Sequence, residues 1–197
     1  MTAHGSDASI NIRGLTFLIA DSNAYFSSIC NSILRSFGAT KVLEAHDAGE
    51  AVKALTQHKI DLLLCDAKLP PDNGIKFTQA IRWDKESEFR TIPILIMTND
   101  TRSTIIAQAR DCGANMLVVK PMSPASLYDR LLWVAFNPRK FVDSPNYFGP
   151  DRRFKIEGFP GGVGRRKGDK VADIGEAAGP AMSQSDIDNL LKAARNG

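Results

Sequence analysis

Four polar residues, Asp21, Asp66, Thr98 and Lys120, stand at or just beyond the ends of short apolar runs at 17–20, 62–65, 92–97 and 116–119. Runs of this length suit strands buried on both faces of a parallel sheet. Ligand sites of open α/β sheets form beyond the carboxyl ends of such strands. Laid side by side, the four runs bring two carboxylates, a hydroxyl and an ammonium into one crevice. Paired carboxylates offer hard oxygen ligands to a divalent cation, and a hydroxyl beside an ammonium suits the oxygens of a phosphoryl group. The chemistry to expect is cation-assisted handling of a phosphoryl group.

The elements that must position these residues are legible between 14 and 136. Short apolar runs alternate with amphipathic, helix-length segments at about 23–37, 47–57, 75–83, 101–112 and 124–136, the pattern of βα units on a parallel sheet. Gly38 and Gly113 follow helices, Asp47 is placed to cap one, and Ser123-Pro124 reads as a cap followed by proline in the first turn. Five strands and five helices, an α/β fold, are expected. Residues 1–13 are small and polar and read as a disordered N-terminus.

The chain has 197 residues, 43% of them hydrophobic, which suits one domain of ordinary size plus additional segments. A net charge of +3 and a pI near 8.8 are too mild to imply nucleic-acid binding. No long apolar segment and no signal-like start occur, so a soluble, cytoplasmic protein without a membrane span is expected. Cys30, Cys65 and Cys112 are widely spaced within apolar or helical patterns and read as reduced core residues rather than metal ligands.

Beyond 136 the periodicity stops. Residues 137–181 form a basic, Gly- and Pro-rich tail with little prospect of a core of its own. Its basic residues, Arg139, Lys140, Arg152, Arg153, Lys155, Arg165, Arg166 and Lys167, read mainly as solvated linker, with electrostatic contact to nucleic acid or an anionic membrane surface a weaker reading. Tyr147, Phe148 and Phe154 are costly to leave in water, so this part is expected to pack against the domain or a partner. Residues 182–197 read as a short amphipathic helix: Ile187, Leu190, Leu191 and Ala194 fall on one stripe, with Ser183 and Asp186 as a weakened capping box. Such a short helix is marginal alone and calls for a partner surface.

Residues 14–136 resemble the receiver domain of two-component response regulators, especially the single-domain chemotaxis type. The matching features are the 17–20 run ending at Asp21, Cys65-Asp66 with Leu69-Pro70, Asp72-Asn73-Gly74, the stretch from Pro93 to Thr98, and Gly113-Ala114-Asn115 leading to Val119-Lys120-Pro121. The resemblance implies a flavodoxin-like, doubly wound five-stranded parallel sheet of order 2-1-3-4-5. It also implies Asp66 as phosphoacceptor, with Thr98 and Lys120 acting on the phosphoryl oxygens. Mg²⁺ would be held by Asp21, Asp66 and the backbone carbonyl of Lys68, with Ser22 a candidate further ligand. The implied donor is a sensor histidine kinase or a phosphotransfer protein. The protein would not be an enzyme beyond slow autodephosphorylation, and would signal through contacts with a receiver-binding or motor component.

Three positions depart from that pattern. Ser22 stands where a second acidic residue is usual, Lys68 places an ammonium two residues beyond the phosphoacceptor, and Leu117 replaces the switch aromatic while Asn99 replaces a small residue. They support an alternative reading, a pseudo-receiver adaptor whose binding is independent of phosphorylation. The stretch from Ser183 to Leu191 also resembles the N-terminal docking peptide of the flagellar motor switch protein.

Overall fold

A computed structural model describes residues 10–152. Five strands, β1 (Thr16–Ala20), β2 (Lys41–Ala45), β3 (Leu62–Asp66), β4 (Ile94–Thr98) and β5 (Met116–Val119), alternate with α1 (Ala24–Ser36), α2 (Ala48–Gln57), α3 (Gly74–Trp83), α4 (Ser103–Asp111) and α5 (Pro124–Phe136). All strand pairs in this sheet are parallel, in the order β2-β1-β3-β4-β5. The expected fold class and strand order are both found.

Because successive side chains in a strand point to opposite faces, the apolar runs feed two cores. Phe17, Ile19, Leu64, Leu95 and Met97 meet Cys30 and Leu34 of α1 and Leu127 and Leu131 of α5. Leu18, Leu63, Cys65, Ile94 and Ile96 meet Leu55 of α2, Phe77 and Ile81 of α3, and Ala109 of α4. Asn23, Asp47, Asn73 and Ser123 each accept a backbone N–H as helix N-caps, whereas α4 has no side-chain cap.

Cys30, Cys65 and Cys112 are free and buried. Burial pushes the Cys30 thiol up to about 12 and Cys112 to about 11, and raises Cys65 further. A thiol acts as a nucleophile only as thiolate. All three should therefore resist a thiol-specific disulfide reagent at pH 8 in the folded protein and react in denaturant; rapid native-state labelling of any of them would contradict this placement.

Two segments are more ordered than their composition suggests. Ile10 and Ile12 are buried in the core beside α1 and α5, and the Ile10 amide donates to the Tyr128 hydroxyl at 3.2 Å. Within the tail, β6 (Phe141–Ser144) and β7 (Tyr147–Pro150) form an antiparallel hairpin, with Tyr147 and Phe148 buried as their aromatic character anticipates. The hairpin packs on the α3–β4 loop and the end of α4. Arg90 stacks on Phe148 at 3.3 Å, Arg82 lies over Phe141 at 5.1 Å, and Arg152 lies over Tyr147 and donates to Asp111. Gly113, at φ +88°, and Gly149 let two backbones touch: a Cβ on Gly149 would lie 2.6 Å from the Gly113 Cα. The tail from 153 onward, including the stretch read as a docking helix, lies outside the described residues.

Candidate functional site

The register carries Asp21, Asp66, Thr98 and Lys120 to one edge of the sheet. Ala20 lies beside Cys65, Asp66 beside Met97, and Thr98 beside Val119. Asp66 and Thr98 are the last residues of their strands, while Asp21 and Lys120 follow the ends of theirs. Asp21 is 1% exposed and Asp66 8%, so two carboxylates are largely withdrawn from water. Such burial demands compensation. The Lys120 ammonium supplies it, donating to Asp21 and, at 2.9 Å, to Asp66 Oδ1.

Local bonds hold each group in place. Asp21 Oδ1 accepts the Asn23 amide at 2.9 Å, which turns the chain into the α1 cap. The Lys120 amide donates to the Thr98 carbonyl at 2.7 Å, tying β5 to β4 at the site. Gly74 is required at the start of α3, since a Cβ there would sit 1.9 Å from the Asp66 carbonyl oxygen. Asp66 Oδ2 has no hydrogen-bond partner among the described residues. That leaves one oxygen of a nearly buried carboxylate free to react.

Thr98 reaches the same edge, but its hydroxyl is engaged in its own turn. It accepts the Asp100 amide at 3.0 Å and donates to the Asp100 carbonyl at 3.4 Å. Asp100 in turn is gripped by Arg102, whose Nε donates to both carboxylate oxygens at 2.9 and 3.0 Å. This pairing holds the half-buried Asp100 carboxyl down at about 2. Lys68 is exposed, and its charge is felt at Asp100. Ser22 is exposed, and Leu117 is half-buried against the core.

Three contacts at the site were not singled out from the sequence. The Lys120 ammonium lies 4.1 Å from the centroid of the Phe26 ring, a cation–π contact that adds to its two carboxylate partners. His46 Nδ1 lies 3.2 Å from the Asp21 carbonyl oxygen, and Asp100 holds the Thr98 hydroxyl. Phe26 lies in the first turn of α1, where an aromatic residue reads simply as core.

The residues fit a hard divalent cation. Asp21 and Asp66 offer oxygens only, and two carboxylates beside one ammonium leave a net negative charge. No group of three or more His, Cys, Asp or Glu gathers among the described residues, so an ion here would keep several waters, as Mg²⁺ does.

A family model for the response regulator receiver domain matches residues 17–132. The chain belongs to the receiver-domain family. Among relatives, chemotaxis protein CheY-3 of Vibrio cholerae is 29% identical over 119 residues, covering 60% of this chain and 90% of the relative. Transcriptional regulatory protein PdtaR of Mycobacterium tuberculosis is 34% identical over 110 residues, covering 56% of this chain and 51% of the relative. The receiver domain of a sensor histidine kinase from Pseudomonas aeruginosa PAO1, solved with a magnesium ion coordinated in its active-site cleft, aligns at 28% identity and a TM-score of 0.54. That match covers 60% of this chain and 94% of the solved one. The hairpin lies beyond the matched residues and is an addition to the receiver. No helix among the described residues is long and apolar enough to cross a membrane.

Proposed function

We propose that this receiver is a phosphoacceptor response regulator, phosphorylated on Asp66 and acting through protein–protein contacts. The observation that carries the reading is the convergence of Asp21, Asp66 and Lys120 through two ammonium–carboxylate contacts at the sheet edge. In the proposed step a carboxylate oxygen of Asp66 attacks phosphorus and the P–N bond of a phosphohistidine breaks. The leaving imidazole takes a proton and the product is an acyl phosphate. The phosphohistidine belongs to a sensor histidine kinase or phosphotransfer protein.

Charge on the transferring oxygens must be offset. Lys120 is already within contact of Asp66 and would follow the phosphoryl group. Asp21, Asp66 and the Lys68 carbonyl would hold Mg²⁺, with Ser22 as a weak further ligand; the ion supplies electrostatic stabilisation of the transferring group. Thr98 would exchange its 3.4 Å bond to the Asp100 carbonyl for a phosphoryl oxygen. That exchange loosens the turn leading to α4, and the loosened turn is how the added charge would alter the docking surface. The test is incubation of the full chain with Mg²⁺ and a small phosphodonor, read by intact mass. One acid-stable, hydroxylamine-labile phosphoryl group is expected, and none would count against the reading.

The second reading, a phosphate-independent adaptor, draws on exposed Ser22 in the acidic position and on Leu117. The two readings part on metal affinity. Restoring the carboxylate with Ser22→Asp should tighten Mg²⁺ binding about tenfold, since a hard cation gains a charged oxygen ligand worth about 1.4 kcal/mol at that ratio. Calorimetry checks it, and unchanged affinity would remove Ser22 from the ligand set.

A further inference from the structure

The segment that follows α5 completes a cavity of about 280 Å³ that the phosphoryl site does not use. Four guanidinium groups line it, those of Arg110, Arg130, Arg139 and Arg152, and no carboxylate among the described residues does. The hairpin brings two of them there. Arg139 precedes β6 and Arg152 follows β7, and the Asp151 amide donates to the Lys140 carbonyl at 2.8 Å, closing the open end of the hairpin. Trp133, Arg139 and Arg152 all lie beyond the residues 17–132 that match the receiver family, so the cavity is a property of this chain rather than of the receiver domain. Asp111 accepts from both Arg110 and Arg152, at 3.0 and 2.6 Å. Even with Asp111 and Asp151 set against them, the four arginines leave positive charge in surplus. Arg139 is half-buried, donates to the neutral Asn115 carbonyl and lies 5.2 Å over Trp133. Burial lowers its guanidinium pKa, the mark of a cation withdrawn from water.

We propose that this cavity binds a small nucleotide, its phosphates on the guanidinium groups and its base against Trp133 and the plane of Arg139. Planar guanidinium forks grip phosphate oxygens bidentately, and several forks around one space suit a group with several charged oxygens better than a lone carboxylate. The rest of the lining, Ile106, Ala109, Met116 and Leu117 beside Trp133, is apolar. Aromatic rings and guanidinium planes both stack on a base. The volume sets the size, since pockets for small molecules begin at about 300 Å³, room for one nucleotide rather than a strand. Like charges crowded around one space repel, and an entering anion removes that repulsion. The ligand's contacts would come both from α4 and α5 and from the two flanks of the hairpin, so its binding would fasten the added segment to the domain. That is an input separate from the phosphoryl site, and it does not rest on phosphorylation of Asp66.

The probe is ADP, titrated by NMR into the full-length protein without Mg²⁺, so that no metal–nucleotide complex reports from Asp21 and Asp66. Saturable shifts of the Trp133 indole and the Ile106 methyl signals are expected. Arg139→Gln should weaken ADP about tenfold or more, the loss of one charged hydrogen-bond partner. Arg110→Gln, at a side chain 63% exposed, tests the same charge with little risk to the fold and should act in the same direction. Tripolyphosphate and adenosine, each carrying half of the recognised chemistry, should bind about tenfold more weakly than ADP or worse. The proposal is overturned if ADP does not saturate by millimolar concentration, or if both variants bind it as the wild type does. Tripolyphosphate binding as tightly as ADP would also overturn it, by reducing the cavity to a patch of bare positive charge. So would a single-stranded RNA oligomer that binds far more tightly than ADP, which would assign these arginines to nucleic acid.

Discussion

Replacing Asp66 with Asn is expected to abolish phosphoryl incorporation completely, by any donor and at any Mg²⁺ concentration, while the domain stays folded. The carboxamide oxygen is neutral and carries no charge to become an acyl phosphate, so the nucleophile is lost rather than slowed. The change also removes one of the two carboxylates that a cation would use. Asp21 continues to accept from Lys120, so the ammonium is not left buried without a partner. Intact mass after exposure to a phosphodonor is the readout, beside a thermal melt of the same sample. A variant that still takes up one hydroxylamine-labile phosphoryl group would move the acceptor to another residue.

Arg82→Met is expected to cost on the order of 3–5 kcal/mol, the largest stability loss for a single site outside the apolar core. Arg82 is fully buried in α3 and spends its donors on neutral oxygens: Gly113 at 2.9 Å, Arg90 at 2.7 Å, Ile92 at 2.8 Å and the Asn115 side chain at 3.1 Å. Burial lowers its guanidinium to about 9, which still leaves it cationic at neutral pH. Methionine keeps the aliphatic bulk and strands those acceptors away from water. Arg82→Lys should rescue little, because one ammonium cannot reach acceptors spread around a planar fork. At about 2–4 °C per kcal/mol the midpoint should fall by on the order of 10 °C. A melt within a degree or two of wild type would show that the carbonyls find other donors and that the arginine is dispensable.

What could be seen in the sequence follows from periodicity. Strands buried on both faces read as unbroken apolar runs, and their polar terminators Asp21, Asp66, Thr98 and Lys120 therefore stood out. Helix ends were equally legible where a cap chemistry exists, as at Asp47 and Ser123. Arg82 was not legible, because an arginine in the last turn of an amphipathic helix reads as a solvated residue favouring the helix dipole; only the carbonyls arriving from Arg90, Ile92 and Gly113 reveal its role. The hairpin was half legible. Its strands are four residues each, too short for an alternation signal, yet Tyr147 and Phe148 announced burial by size alone. Phe26 and Asp100 were hidden for a different reason: their roles come from loops and first turns that converge only once the sheet has closed.

If Asp21, Asp66, Thr98 and Lys120 form one phosphoryl-responsive site, an amide NMR titration with Mg²⁺ and beryllofluoride, a stable phosphoryl mimic, should produce saturable shifts at all four residues. The shifts should extend through Asp100 and Arg102 into α4 and be lost in Asp66→Asn. An unchanged spectrum at millimolar metal and mimic would contradict it and leave the phosphate-independent adaptor as the reading of this receiver.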